Sequence, residues 1–385
     1  MKKSPNLPIL YISGFLVTAR ESLLVPIMPL YASKLGASVS EVGLIIAMLN
    51  YSTALCMIPF GLLSDKFGRR IVLIIGTAVT AIVSFLYAFS TDPTQLSLLR
   101  ILNGIGSAAL IASLFAAVID MSPANQRGKS LGWYTTATQA GLMIGPVVGG
   151  YLSISLGFTS VFFSSGILAL VVLIIIFTSF SGMLQRDSTE FTADKSYSWI
   201  KQKAFFGVLL TAFVITFGMG TLNAYIPIYA AGVGITATGA GLIIGLCYAG
   251  SAGLRIISGT LSDRLGRKPL IMGGILISSI MIALFSQFHS LALLSIVSFG
   301  FGIGLGIVLP SSVALTADLS PPKAVGLATA IFSVAYQIGS ALGPTSMGAV
   351  AEISNLETTF IACGISMALG LIIIYMLFKT GRRSK

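Results

Sequence analysis

Gly61-Leu62-Leu63-Ser64-Asp65-Lys66-Phe67-Gly68-Arg69-Arg70 closes one long apolar run, and 198 positions later Gly259-Thr260-Leu261-Ser262-Asp263-Arg264-Leu265-Gly266-Arg267-Lys268 closes another. The same offset, without net insertion, carries Pro29-Leu30-Tyr31-Ala32 onto Pro227-Ile228-Tyr229-Ala230 and Gly43-Leu44-Ile45-Ile46 onto Gly241-Leu242-Ile243-Ile244. It also carries Asp120-Met121-Ser122-Pro123 onto Asp318-Leu319-Ser320-Pro321, Gln139 onto Gln337, and Gly145-Pro146 onto Gly343-Pro344. One unit has been copied in the same orientation.

Composition says which solvent that unit faces. Hydrophobic residues make up 55% of the 385 and charged residues 9%, against about a quarter charged in a soluble domain, and the mean hydropathy is +0.95. A bilayer core takes about 20 apolar residues per helix. Glycine, proline and charge punctuation divides the chain into twelve such runs, near 7–31, 41–63, 71–90, 95–118, 129–152, 158–180, 204–230, 239–260, 270–287, 290–314, 325–348 and 358–378. The expected fold is an all-α integral membrane protein, with a six-helix bundle over 1–180, a cytoplasmic linker over 181–203 and a second six-helix bundle over 204–385. The linker's Tyr197-Ser198-Trp199 reads either as a plain connector or as a short interfacial helix with Trp199 at headgroup level. Met1-Lys2-Lys3 before an apolar run resembles a signal peptide, but the run continues to Tyr31 and lacks a small-residue cleavage site, so a retained first helix is expected.

Basic residues orient the spans. The loops on the side of the N-terminus carry Lys2, Lys3, Lys66, Arg69, Arg70, Arg127, Lys129, the linker cations, Arg264, Arg267, Lys268, Lys323 and the tail from Lys379 to Lys385, whereas the other side carries Lys34. The positive-inside rule therefore predicts that both termini are cytoplasmic. The net charge of +11 reads as topology, and no nucleic-acid partner is needed to account for it. Cys56, Cys247 and Cys363 lie within apolar runs, and the single histidine, His289, lies in a short turn. Neither a metal site nor a Ser/His/Asp set can be assembled. No enzyme activity, metal or cofactor is expected.

Twelve helices in two parallel repeats, with G-x-x-x-D-[RK]-x-G-R-[RK] after the second and the eighth, resemble the major facilitator superfamily over essentially the whole chain. In that family these clusters brace the cytoplasmic face. The resemblance assigns the gate to Asp65, Arg69 and Asp120 and, in the second copy, to Asp263, Arg267 and Asp318. Gly61 is expected to let two helices approach, and a plain topogenic basic loop is the alternative. Leu96 to Gly106, centred on Arg100, looks like the family's fourth-helix motif. Gly141, Gly145, Pro146, Gly149 and Gly150, after Gly132, reproduce the spacing of the antiporter motif of the fifth helix. Gly339, Gly343-Pro344 and Gly348 keep part of it, so a packing face common to both halves is the competing reading.

Charges that break the repeat complete the reading. Arg20 and Glu21 correspond to Gly218 and Met219, Arg100 to Ser298, and Arg255 to Met57. Intramembrane ionisable groups are costly and mark solute or proton paths. Glu21 and Arg100 are the proton-coupling candidates, and Arg20, Asn50, Asn103, Asn223 and Tyr225 the substrate-binding ones. An ion pair of Arg20 or Arg100 with Glu21 would be the structural alternative. Arg255 reads as a snorkelling structural residue. The expected function is export of small organic, amphipathic or drug-like solutes in exchange for protons, by alternating access of a monomer in a prokaryotic inner membrane. A proton-coupled uptake symporter for an organic anion is the alternative, and a transport-dead receptor or scaffold a third.

Overall fold

The computed structural model describes residues 7–123, 126–179, 197–321 and 324–380, apart from the side chains of residues 197, 198, 256, 257, 260, 263 and 380. Its helices are α1 (Leu7–Leu23), α2 (Ile27–Lys34), α3 (Val39–Phe67), α4 (Arg69–Leu86), α5 (Pro93–Met121), α6 (Arg127–Leu156), α7 (Phe158–Ser179), α8 (Lys203–Gly232), α9 (Ala237–Leu265), α10 (Arg267–Leu284), α11 (Leu291–Leu319), α12 (Val325–Ile353) and α13 (Leu356–Thr380). Taking α1 and α2 as one span, 12 segments are long and apolar enough to cross a membrane, and among the described residues no strand occurs.

Local chemistry starts and stops these helices where the sequence is polar. Ser38 and Glu41 form a capping box on α3: Ser38 N–H donates to the Glu41 carboxylate at 2.7 Å, and Glu41 N–H to Ser38 Oγ at 3.3 Å. Asp92 accepts from Gln95 N–H at 2.9 Å ahead of Pro93, the first residue of α5. Gly68 and Gly266 join α3 to α4 and α9 to α10 with φ of 91° and 86°. A side chain there would be strained, which accounts for the second glycine of the duplicated motif. Gly61 does something else: among the described residues a Cβ there would meet nothing within 4 Å. The expectation that Gly61 lets two helices approach is corrected accordingly, since the tight geometry belongs to the turn.

The chain forms two compact units. One consists of Met1–Ala37, Met48–Glu190 and Thr236–Gly245, the other of Ser38–Ala47, Phe191–Ile235 and Leu246–Lys385. In the first, α1 crosses α6 on small residues. Thr18 Oγ1 donates to the Thr138 carbonyl at 2.9 Å and Ser22 Oγ to that of Gly141 at 2.9 Å. In the second unit α8 crosses α12 in the same way, Thr216 donating to Tyr336 at 2.8 Å. Tyr31 likewise donates to the Ser90 carbonyl at 3.0 Å, and its counterpart Tyr229 to that of Phe288 at 3.1 Å. In a bilayer, where apolar burial gives helices little reason to associate, such close contacts and hydroxyl bonds hold them together. Exposed Ile174, Phe177, Ile372 and Met376 cover outer faces.

The copies differ at α1. Its ladder ends at Leu23, Leu24 N–H turns to the Glu21 carbonyl at 3.2 Å, and α2 resumes after Pro26. The corresponding α8 runs without interruption to Gly232, through Pro227, with Ala224 where the first copy has Pro26. Trp199 is buried against Phe205, ring centroids 4.9 Å apart, in a short 3₁₀ turn.

Candidate functional site

Four of the residues singled out by charge or polarity converge inside the first unit. Arg20 lies in the last turn of α1 and is fully buried, with Glu21 half-buried beside it. Arg100 and Asn103, one turn apart on α5, are buried. Between them lies Tyr87, in the 3₁₀ turn after α4. Asn103 Nδ2 donates to the Tyr87 hydroxyl at 3.0 Å, and Arg100 also hydrogen-bonds this phenol. Arg20 lies within electrostatic reach of both Glu21 and Tyr87. Yet its Nε, Nη1 and Nη2 are buried with no hydrogen-bond partner among the described residues, and Asn103 Oδ1 is equally unpartnered. Tyr87 was missed because a tyrosine in an apolar run reads as core. Its signal was the repeat, which has Phe285 there.

In the second unit the matched volume is largely apolar, with buried Ser298 in place of Arg100. Gly218 replaces Arg20, and a Cβ on it would stand 2.5 Å from Met367 Sδ and 3.2 Å from the ring of Phe301, which replaces Asn103. Phe285 and Phe301 are fully buried.

Arg69 joins the two carboxylates of its cluster, Asp65 at 2.5 Å and Asp120 at 3.2 Å, and donates to Ser64 Oγ at 3.1 Å. Ser113 donates to the same hydroxyl at 3.0 Å. Arg267 pairs with Asp318 through Nε, with a second, longer contact from Nη2 at 3.4 Å. The side chain of Asp263 lies outside the described residues. Asp65 is 60% exposed and Asp318 49%, so the Arg69–Asp65 and Arg267–Asp318 pairs are each worth about 0–1 kcal/mol. Clusters this weak can hold one conformation without locking it.

The glycine run on α6 is a packing face. A Cβ at Gly141 would collide with Thr18 Oγ1, one at Gly145 with Ser22 Oγ and one at Gly149 with the Leu23 carbonyl, while one at Gly150 would meet the Ala237 carbonyl. On α12, Gly339 and Gly343 meet Phe213 and Phe217 on α8 in the same manner. Tyr225 is fully buried and donates to the Pro344 carbonyl at 2.6 Å, beneath Gly43. Asn50 and Asn223 are half-buried, the latter with an unpartnered Oδ1. Arg255 is half-buried near Tyr336. Tyr225 and Asn223 belong to the second unit and Asn50 to the first.

Residues 10–207 and 208–385 each match the sequence profile of the Major Facilitator Superfamily. The chain belongs to this superfamily. Among its relatives, the multi-drug resistance efflux pump PmrA of Streptococcus pneumoniae serotype 4 is 28% identical over 393 residues, covering 97% of this chain and 96% of that one. The quinolone resistance protein NorA of Staphylococcus aureus is 23% identical over 384 residues, covering 95% of each. The fold matches a bacterial homologue of the lysosomal transporter Spinster, in an inward-facing, occupied conformation, with a TM-score of 0.83 at 16% identity over 97% of this chain and 96% of that one. This facilitator-superfamily protein is a transporter and not an enzyme, and it is a multi-pass protein of the cell membrane.

Proposed function

We propose that this transporter exports small, amphipathic, drug-like organic solutes in exchange for protons, by alternating access, with both termini in the cytoplasm. Glu21 carries the proton beside Arg20, whose field reaches both Glu21 and Tyr87, and Tyr87 is in turn hydrogen-bonded by Arg100 and Asn103. The observation that supports this most is the cluster itself: a carboxylate with two guanidinium groups and a phenol in one repeat, against an uncharged and largely apolar core at the matched place in the other. A charge that the architecture does not need, at membrane depth, marks a proton or solute path. The naming of PmrA and NorA as efflux proteins supports the direction and the solute class. The glycine run contributes less to direction, because both repeats use it to pack helices.

The test is flux of the fluorescent lipophilic cation ethidium in vesicles containing the full chain, with a pH gradient imposed in either direction. Export against a gradient should be driven by inward proton flow and should vanish in Glu21→Gln, while ethidium binding persists. Two guanidinium groups against one carboxylate favour a second reading, uptake of an organic anion together with protons. Solute and proton moving in the same direction would replace the exchange reading with it.

A further inference from the structure

Two helices belong to different units at their two ends. Ser38–Ala47, which opens α3, clusters with the second unit and the rest of α3 with the first, whereas Thr236–Gly245, which opens α9, clusters with the first unit and the rest of α9 with the second. The two starts are seated alike. A Cβ on Gly43 of α3 would collide with the Pro344 carbonyl of α12, and one on Gly241 of α9 with the Pro146 carbonyl of α6. Gly348 faces Ser40 across the α3–α12 seam, and Gly150 faces Ala237 across the α9–α6 seam. Each start keeps a hydroxyl cap, with Ser38 Oγ accepting from Glu41 N–H at 3.3 Å and Thr236 Oγ1 from Gly239 N–H at 3.3 Å. What the repeats share at these seams is close packing and local capping.

The α3–α12 seam carries more. Glu352, in the last turn of α12, accepts from the Ser40 N–H at 2.9 Å. About one turn further in, Tyr225 of α8 donates to the Pro344 carbonyl at 2.6 Å, its hydroxyl standing against both Gly43 and Gly348. At the places matched to Glu352 and Tyr225 the first copy has Ile154 and Ile27, side chains that neither donate nor accept. Ser40 is the second residue of α3, and the first N–H groups of a helix have no partner within it. A carboxylate there makes a charge-assisted bond and meets the positive end of the helix dipole. Core filling does not explain Glu352, because it is exposed, as Ile154 is. Nor does α3 need it as a cap, since Ser38 and Glu41 already close that end from within. What Glu352 adds is a bond across 312 positions of chain, made to the start of a helix whose remainder belongs to the other unit. Water can replace an exposed carboxylate at that N–H, so the bond favours the joined arrangement and still yields. Tyr225 shapes the seat on which Gly43 rests.

We propose that Glu352 is a positioning residue for the transport cycle: its carboxylate latches the start of α3 to α12 while that end of the protein is closed, and the matched seam between α9 and α6 has no such latch. This rests on the alternating-access reading. The experiment measures the dipolar coupling between nitroxide labels on Leu44→Cys of α3 and Ile353→Cys of α12, both exposed, in full-length protein in lipid nanodiscs. Cys56, Cys247 and Cys363 are replaced by alanine in this background. The wild-type residues should give a short and a long distance, with ethidium changing their ratio. Glu352→Ile, which copies the first repeat, should raise the long population relative to the short one by about two- to fivefold, the range that a carboxylate at a helix N-terminus commands. Glu352→Gln, which keeps an acceptor oxygen without the charge, should raise it less. Ile154→Ala, at the matched place, should leave it unchanged. If both distances are present but Glu352→Ile does not move their ratio, or Ile154→Ala moves it as far, this inference is overturned and alternating access stands. If the wild-type residues give one distance with and without ethidium, the alternating-access reading falls and takes the inference with it.

Discussion

The interiors of the two repeats teach more by contrast than either does alone. Both copies keep the hydroxyl bond between the first and fifth helices, the tyrosine that reaches the loop carbonyl, and the arginine–aspartate pair. These are the parts that the architecture repeats because it needs them. The copies part at Arg20, Tyr87 and Asn103, where the second has Gly218, Phe285 and Phe301. A duplicated protein thus contains its own control, and a difference confined to a matched volume points to function.

The strongest way to break this comparison is to move the charge. Gly218→Arg would drive a guanidinium into Met367 and Phe301, with no carboxylate at the neighbouring Met219, at a cost of ~3–5 kcal/mol for an unpaired buried charge. We expect no monodisperse protein by size-exclusion chromatography, and a well-folded variant would show that the second repeat tolerates what the first uses. Next, Gly145→Leu and Gly343→Leu should both lose most ethidium export while still reaching the membrane, because each forces a helix pair apart. Loss at Gly145 alone, measured as flux per inserted protein, would return the glycine run to a role in coupling. Tyr87→Phe installs the second repeat's residue and strands Asn103 Nδ2. A loss of about 1 kcal/mol, read as a lower thermal midpoint, is expected for an intramembrane hydrogen bond, and Phe285→Tyr should not return it. The smallest effect belongs to Asp65→Asn. It should raise labelling of cysteines introduced on α3 within two turns of Asp65 by a few-fold at most, since the exposed pair is worth about 1 kcal/mol or less. Unchanged labelling would leave the cluster as a topogenic loop.

Much of this was legible in the chain because it is written twice. Twelve apolar runs and an offset without insertions mark the helices, and Arg69 with Asp120 follows from charges that recur together. What stayed hidden depended on the third dimension. Periodicity cannot distinguish a tyrosine that fills a core from one that accepts hydrogen bonds from Asn103 and Arg100. In the run from Leu7 onward Pro26 signals the stop near Leu23, but the apolar residues that continue through the turn mask it. A compact unit also need not be a contiguous stretch of chain: Ser38–Ala47 and Thr236–Gly245 each cluster with the bulk of the other sequence half. Gly61 reads as a contact, yet among the described residues a Cβ there meets nothing, since a glycine's role is set by what lies opposite it.

The interruption of α1 leaves a lasting mark on the gene. With Leu24 N–H turned to Glu21, the Arg20 carbonyl is served instead by the Ser165 hydroxyl from α7. In the second copy, where the helix runs on and Ala224 replaces Pro26, the serine's place is taken by Cys363. Proline and serine, 139 positions apart in the chain, are therefore expected to be inherited as a pair: a descendant that straightened the helix would be free to lose the hydroxyl, and one that lost the hydroxyl first would be under pressure to straighten the helix.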